Sequence, residues 1–262
     1  SGKYFIYGLP SKKINEIIRE EMHAIGAQEL LMPALVAKEY WQKSDRWKSE
    51  VVYRTGDQTR LMFNIPSGPN PPRLNFEYGL GWTHEEVITH IAENFIGAYQ
   101  DLPIGVYQIQ TKFRAEPRAK SGLLRGREFL MKDLYSFNLN QEDLDAYYES
   151  VIEAYKKILK RLELKARVTE AAGGSFTKEY THEFQVLNEA GEDTVFYCEK
   201  CDFSQNKEIS KVKTGDRCPK CKAEIQESKG IEVANVFKLG TRYSEVFNLK
   251  FIDKNGKQSP VI

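Results

Sequence analysis

The sequence has no apolar run approaching the roughly 18–20 residues that span a bilayer. Its N-terminus shows no charged stretch leading into an apolar core, so neither a membrane protein nor a secreted one is expected. Net charge is nearly absent, +1 with His neutral, which argues against binding nucleic acid through a strongly basic overall field. Several catalytic signatures are missing too. There is no Gly-x-x-x-x-Gly-Lys-Ser/Thr loop, no Gly-x-Gly-x-x-Gly after a strand and no Gly-x-Ser-x-Gly elbow. "THEEVI" starts like a zinc-protease helix, but its second histidine would fall at Ile88, which excludes that chemistry. A nucleotide bound by this chain would have to be held by arginines and a sheet.

Cysteine is scarce, with four in the chain, and all four fall in "YCEKC" and "RCPKC". Two Cys-x-x-Cys pairs, Cys198 with Cys201 and Cys218 with Cys221, have the spacing of a zinc ribbon, each turn offering two thiolates to one tetrahedron. Disulfides are the weaker reading in a chain without an export signal, and thiols left over from a lost metal site are the bland one. Zinc here would be structural, because four cysteines leave no open position for water or substrate.

What remains is the composition of an ordinary folded domain. The 262 residues are 41% hydrophobic and 29% charged, enough to bury a real core and too apolar for wholesale disorder. Ser11 is expected to open an amphipathic helix with Ile14, Ile17, Ile18, Met22 and Ile25 on one stripe, stopped by Gly26. "QELLMPAL" reads as a buried strand ending near Pro33, and residues 53–81, with "IPSGPNPPR", as irregular. Thr83 begins a second helix. Strands are expected over 104–116 and 126–137, then a long helix capped by Asn140 with Leu144, Tyr147, Tyr148, Val151, Tyr155, Ile158, Leu159 and Leu162 at helical spacing. Short strands follow around the cysteine module. The pattern predicts an α+β fold, a mainly antiparallel sheet flanked by helices, with a small zinc-ribbon-like insertion.

Two stretches carry candidate chemistry. "FRAEPRAKSGLLRGREF" (Phe113 to Phe129) crowds Arg114, Arg118, Lys120, Arg125 and Arg127 around a turn marked by Pro117 and Gly122. By strand parity Gln108, Gln110, Lys112, Arg114 and Glu116 share one face, and Arg125, Arg127, Phe129, Met131 and Asp133 share another. So polar a face must be solvated, internally paired or lining an anionic site, because buried unpaired charge is very costly. Arginine forks fit phosphate oxygens and Phe129 could stack on a base, while an exposed, salt-bridged hairpin is the plain alternative. In "GLGWTHEEV", Thr83 and Glu86 have the spacing of a capping box, which leaves the Glu85 carboxylate to meet a cation. His182 in "YTHEFQVL" is a lone histidine, by itself more often packed or exposed than functional.

Taken together, these segments resemble the class II aminoacyl-tRNA synthetases, and within them the bacterial-type prolyl-tRNA synthetases. "IGAQELLMPAL" resembles the first motif, and "TKFRAE" with "RGREFLMKD" the second. "WTHEEVI", "MKDLYSF", "THEFQVL", "GEDTVFYCEKCDF" and "IEVANVFKLGTRYS" resemble stretches of that family in the same order. The resemblance implies proline activation with ATP and transfer to tRNA(Pro), with Mg²⁺ on the pyrophosphate, in a cytoplasmic homodimer built through the Pro33 region. Carried over by position, Arg114 would hold the α-phosphate and the substrate carboxylate, Glu116 the adenine amino group, and Phe129 would stack on the ring. Arg118, Arg125 or Arg127 would hold the β- and γ-phosphates. Thr83 and Glu85 would bind the secondary ammonium of L-proline, with Phe129 and His182 walling its ring. The implied domains are a catalytic core over 1–197, a four-cysteine insertion over 198–229 in place of an editing domain, and a return to the core over 230–262. Two departures stand out. Trp82 takes the place of the proline that usually precedes the "THEE" string, and the third motif and the anticodon-binding domain do not appear. A non-catalytic synthetase-like protein binding tRNA, nucleotide or a protein partner is the alternative.

Overall fold

The computed structural model describes residues 8–54, 77–117, 124–174 and 176–262. In chain order its elements are α1 (Gly8–Ala24), β1 (Gln28–Glu29), β2 (Leu35–Ala37), α2 (Lys38–Lys43), β3 (Tyr78–Leu80), α3 (Glu85–Ala92), β4 (Ile104–Phe113) and β5 (Glu128–Phe137). They continue with α4 (Gln141–Arg161), β6 (Ala166–Ala172), β7 (Tyr180–Leu187), β8 (Asp193–Cys198), β9 (Ser204–Asn206) and β10 (Ile225–Val236), and end with α5 (Arg242–Phe247), β11 (Lys250–Ile252) and β12 (Gln258–Pro260). The mixture of helices with mainly antiparallel strands is the expected one. The chain divides into two compact units: Ser1–Gln28, Ser136–Gly240 and Ile262 form one, Glu29–Tyr135 with Thr241–Val261 the other.

In the first unit, strands β10-β7-β6-β9-β8 close into a small barrel. Every pairing is antiparallel except the seam, where β6 meets β9 in parallel at Glu170 and Gln205. Strand β10 runs across the 229/230 boundary implied by the resemblance, pairing with β8 before Gly230 and with β7 after it. Helix α4 forms as its apolar spacing requires. The Asn140 side chain accepts the Asp143 amide at 2.9 Å, and Leu144, Tyr148, Val151, Tyr155, Ile158 and Leu159 are buried along one stripe. Glu142 and Asp143 in its first turn and Lys160 and Arg161 in its last complement the helix dipole. Arg161 reaches Glu20 and Glu21 of α1 at 2.5 and 2.8 Å. Helix α1 itself begins at Gly8, so Ser11 lies inside it and does not cap it. Pro10 falls in the first turn, where its missing N–H has no helical partner to lose. Gly26, at φ +78°, ends the helix as expected.

The second unit is built on a three-stranded sheet, order β1-β4-β5. "QELLMPAL" is not one strand: only Gln28–Glu29 and Leu35–Ala37 are extended ladders, and Leu31 between them is 76% exposed. Pro33 has no N–H to give a ladder. Side chains of β4 serve this backbone instead, Gln108 Oε1 accepting from Met32 N at 3.0 Å and Gln110 Nε2 donating to Met32 O. Tyr78–Leu80, expected to be irregular, forms β3 and pairs antiparallel with β2. Most of the proline-rich stretch before it, 55–76, lies outside the described residues.

Candidate functional site

The second unit holds most of the residues singled out in the sequence, and β4 organises them. Its polar face is internally paired and not solvated: Gln108, Gln110 and Lys112 are all buried. The Lys112 ammonium, 0% exposed, lies 2.9 Å from Asp133 Oδ1 on β5 and donates to Gln110 Oε1 at 3.3 Å and to His84 Nδ1 at 2.8 Å. Gln108 Nε2 and the Tyr135 hydroxyl both donate to Asp133 Oδ2, at 2.9 and 2.7 Å. His84 closes the network. With Nδ1 accepting, its Nε2–H donates to Pro33 O at 2.9 Å, and its backbone N–H donates to the Tyr135 hydroxyl at 3.2 Å. One buried system of charges and amides therefore fastens the Pro33 segment, the start of α3 and strands β4 and β5 together. The backbone joins in, with Phe113 N donating to Gly81 O at 3.0 Å. Gly81 is needed for this approach, since a Cβ there would sit 2.6 Å from His84 Cε1.

Burial, aided by the nearby Lys112 ammonium, holds His84 below the usual histidine range, so the ring stays neutral. A histidine with a lowered folded pKa contributes stability that is complete above its unfolded value, about 6.5, and fades as pH falls from there toward the folded value. Stability measured by urea unfolding is therefore expected to drop between pH 7.5 and 5.5, and to drop less in His84→Gln, which keeps a donor for Pro33 O. Equal pH dependence in the two proteins would count against a buried neutral His84.

The string Trp82 to Glu86 leaves this anchor into α3, and it is not a capping box. Helix α3 starts at Glu85 after His84, with no side-chain cap. Glu86, 0% exposed, turns inward to accept from Ser44 Oγ at 2.6 Å and Arg46 Nη1 at 3.0 Å. Glu85 does meet a cation, as its spare carboxylate implied: Arg46 Nη1 donates to Glu85 Oε2 at 2.9 Å. The Thr83 hydroxyl is buried and has no partner among the described residues. Arg46 was not singled out in the sequence. "SDRW" carries no periodic or motif signal, and the one hint was the unexplained carboxylate of Glu85.

Beyond the end of β4 lie the residues considered for an anion. Arg114 N donates to Arg127 O at 2.9 Å, which extends the strand pairing toward the turn, and the Arg114 guanidinium sits 5.2 Å from the Phe129 ring centroid. Glu116 is tied in twice. Its carboxylate meets Arg125 at 3.4 Å, and its carbonyl accepts from Arg127 Nε at 2.9 Å. Arg114, Glu116, Arg125, Arg127 and Phe129 are thus brought to one rim of the sheet, while Arg118, Lys120 and Gly122 lie outside the described residues. His182 belongs to the other unit. On β7 its Nδ1 donates to the Tyr148 hydroxyl at 2.7 Å, which in turn donates to Val236 O at 3.0 Å, and burial lowers its pKa.

The four cysteines gather in the first unit. Their sulfurs all lie within 4.8 Å of one another, with Cys198 to Cys221 at 3.4 Å and Cys201 to Cys218 at 3.6 Å. No pair approaches the bonding distance of about 2.05 Å. Zinc–sulfur bonds of about 2.3 Å make tetrahedral edges of about 3.8 Å, so the cluster has the size of a Cys₄ zinc site. Phe196, Phe203 and Ile225 pack around it.

The strand pair presents arginines and an aromatic at its rim, beside a buried carboxylate string. Residues 72–262 match the tRNA synthetase class II core domain (G, H, P, S and T), and the chain belongs to that family. Among its curated relatives it is 43% identical over 228 residues to the proline--tRNA ligase of Oleidesulfovibrio alaskensis, covering 86% of this chain and 37% of that protein. It is 44% identical over 231 residues to that of Bacillus cytotoxicus, covering 86% of this chain and 38% of the relative. The chain thus spans little more than a third of the length of the curated relatives it matches. In fold it is similar to the Giardia lamblia prolyl-tRNA synthetase in complex with prolyl-adenylate, at TM-score 0.70, 18% identity, 96% of this chain and 42% of that one. It is similar also to the Cryptosporidium parvum enzyme complexed with L-proline and AMP, at TM-score 0.69, 16% identity, 100% of this chain and 44% of that one.

Proposed function

We propose that this chain is the amino-acid-activating part of a proline--tRNA ligase. An oxygen of the proline carboxylate attacks the α-phosphorus of ATP, the bond to pyrophosphate breaks, and prolyl-adenylate forms. The 3′-terminal hydroxyl of tRNA(Pro) then takes the prolyl group and releases AMP. The observation that carries this reading is a buried Thr83 hydroxyl, without a partner among the described residues, two positions from the buried Glu85 carboxylate on a string whose Gly81 carbonyl is bonded to Phe113, the residue before Arg114. A hydroxyl and a carboxylate suit the two N–H groups of a secondary ammonium.

Arg114 would neutralise the two anions that must meet, the carboxylate and the α-phosphate, and so set the in-line approach. Phe129, already under the Arg114 guanidinium, would stack on adenine, and the Glu116 carboxylate would accept from its amino group. Arg125 and Arg127, with Arg118, would hold the outer phosphates. Mg²⁺, when bound, would neutralise the departing pyrophosphate. Zinc on Cys198, Cys201, Cys218 and Cys221 would be structural. A homodimer through the Pro33 region is favoured by Leu31 and Leu35, 76% and 37% exposed on either side of it. Among the described residues no helix is long and apolar enough to cross a membrane, which is compatible with work in the cytoplasm.

The test is proline-dependent ATP–pyrophosphate exchange, with threonine, serine and alanine as controls. Exchange with proline alone is expected, and Arg114→Ala should lower it by about 10³-fold or more, the effect of removing a preorganised charge from the reacting centre. Exchange driven by another amino acid would redirect the assignment. ATP binding without exchange would favour a non-catalytic synthetase-like protein, and unchanged exchange in Arg114→Ala would remove that residue's role.

A further inference from the structure

Arg46 is 6% exposed and spends a single nitrogen on three oxygens, Nη1 lying 2.9 Å from Glu85 Oε2, 3.0 Å from Glu86 Oε1 and 2.9 Å from the Tyr243 hydroxyl. Its guanidinium carbon lies 4.3 Å from the Trp82 ring centroid and 5.9 Å from that of Tyr243, so the indole packs against the cation. Trp82 itself is 7% exposed. The indole is thus occupied in covering Arg46.

Among the described residues the formal charges of this enclosure do not cancel. One guanidinium faces two carboxylates, and an uncompensated buried anion is costly. Burial raises the Glu86 carboxyl, with Arg46 opposing and Glu85 adding to the rise. Glu85 Oε2 is taken by Arg46, while no donor among the described residues reaches its Oε1. A single ammonium at Oε1 would bring the enclosure to neutrality. A guanidinium or a diamine would overshoot it.

We infer that Arg46, held by Trp82, is the positioning residue for Glu85: it fixes the orientation of that carboxylate and leaves the enclosure short of one positive charge, so that it accepts a monocationic secondary ammonium. This inference rests on the proline reading of the site and deepens it. Arg46 touches no reacting atom. Its part is to hold Oε2 so that Oε1 points to the ligand, and to set the charge the ligand completes. Lysine in its place would keep the charge but offer a compact, rotating donor where a planar fork now lies under an indole.

The experiment has two arms on this chain. Without substrate, arginine side-chain NMR should show for Arg46 separately resolved, slowly exchanging Nη protons with a ring-current shift that disappears in Trp82→Leu. With substrate, Arg46→Lys should raise the KM for proline in ATP–pyrophosphate exchange by about 10- to 100-fold, the loss of one hydrogen bond to a charged group, and leave the KM for ATP unchanged. Arg46 protons exchanging as fast as those of an exposed arginine would overturn the inference whatever the activity. An unchanged KM for proline in Arg46→Lys, or equal rises for proline and ATP, would overturn it as well. A locked Arg46 in a wild-type chain that does not use proline would take down the proline reading, and Arg46's role in it, and leave only a structural ion triad.

Discussion

Replacing Lys112 by methionine is expected to cost about 3–5 kcal/mol, the range for breaking a buried ion pair by removing one partner. The reason is what stays behind. Lys112 is 0% exposed, and among the described residues its ammonium is the only formal positive charge that meets Asp133, whose other contacts there are the Gln108 amide and the Tyr135 hydroxyl. Methionine fills the volume but abandons the carboxylate and the Nδ1 lone pair of His84 together. A loss of that size is a large share of the 5–15 kcal/mol that holds a typical domain folded. Asp133→Asn in the Lys112→Met background should recover much of it, since the amide keeps an acceptor for Gln108 and Tyr135 without a charge to bury. Urea unfolding of the two single variants and the double variant measures the coupling. A Lys112→Met cost below about 1 kcal/mol, the scale of an exposed pair, would show that the ammonium is not buried. Strictly additive costs would show that the two groups do not meet.

The same network shows why the sequence disclosed some of this molecule and not the rest. Features written within a few residues were readable. The Asn140 cap and the stripe of α4 each need only one turn of helix, and the paired cysteines need only a tight turn and its double. Strand parity went further. It placed Gln108, Gln110 and Lys112 on one face and demanded pairing, solvation or an anion, and the structure answers with pairing. What parity could not supply were the partners, because the bonds from β4 to Met32 join residues 76 and 78 positions apart. Arg46 was invisible for the same reason, its carboxylates lying 39 and 40 positions along the chain. The Thr83–Glu86 spacing misled because a capping box and a buried acidic pair share one local pattern, and Arg46 and Ser44 decide between them from outside it. The resemblance to the synthetases supplied roles for Thr83, Glu85, Arg114 and Phe129 that no local rule would have assigned. It implied nothing about what holds Glu85.

Withdrawing zinc should unfold the barrel end of the first unit. Chain purified without added metal is expected to carry one zinc per molecule, and a strong chelator or Cys218→Ser should lower its melting temperature and free the remaining thiols. The size of the effect follows from what the cysteines replace. Cys198 closes β8, Ile225 opens β10, and between them Cys201, Cys218 and Cys221 sit on turns with few apolar neighbours beyond Phe196, Phe203 and Ile225. So small a cluster cannot order those turns alone, and structural zinc contributes on the order of 10–16 kcal/mol in zinc-finger peptides, an upper bound for a module already tied into a barrel. Because β10 pairs with both β8 and β7, loosening its first half should reach the strand that carries His182. Amide exchange is then expected to accelerate first across 198–225 and next along β7 and β10, with α4 protected longest. Clearly sub-stoichiometric metal, four titratable thiols and a melting temperature indifferent to chelator would together show that the four sulfurs hold their places by packing alone.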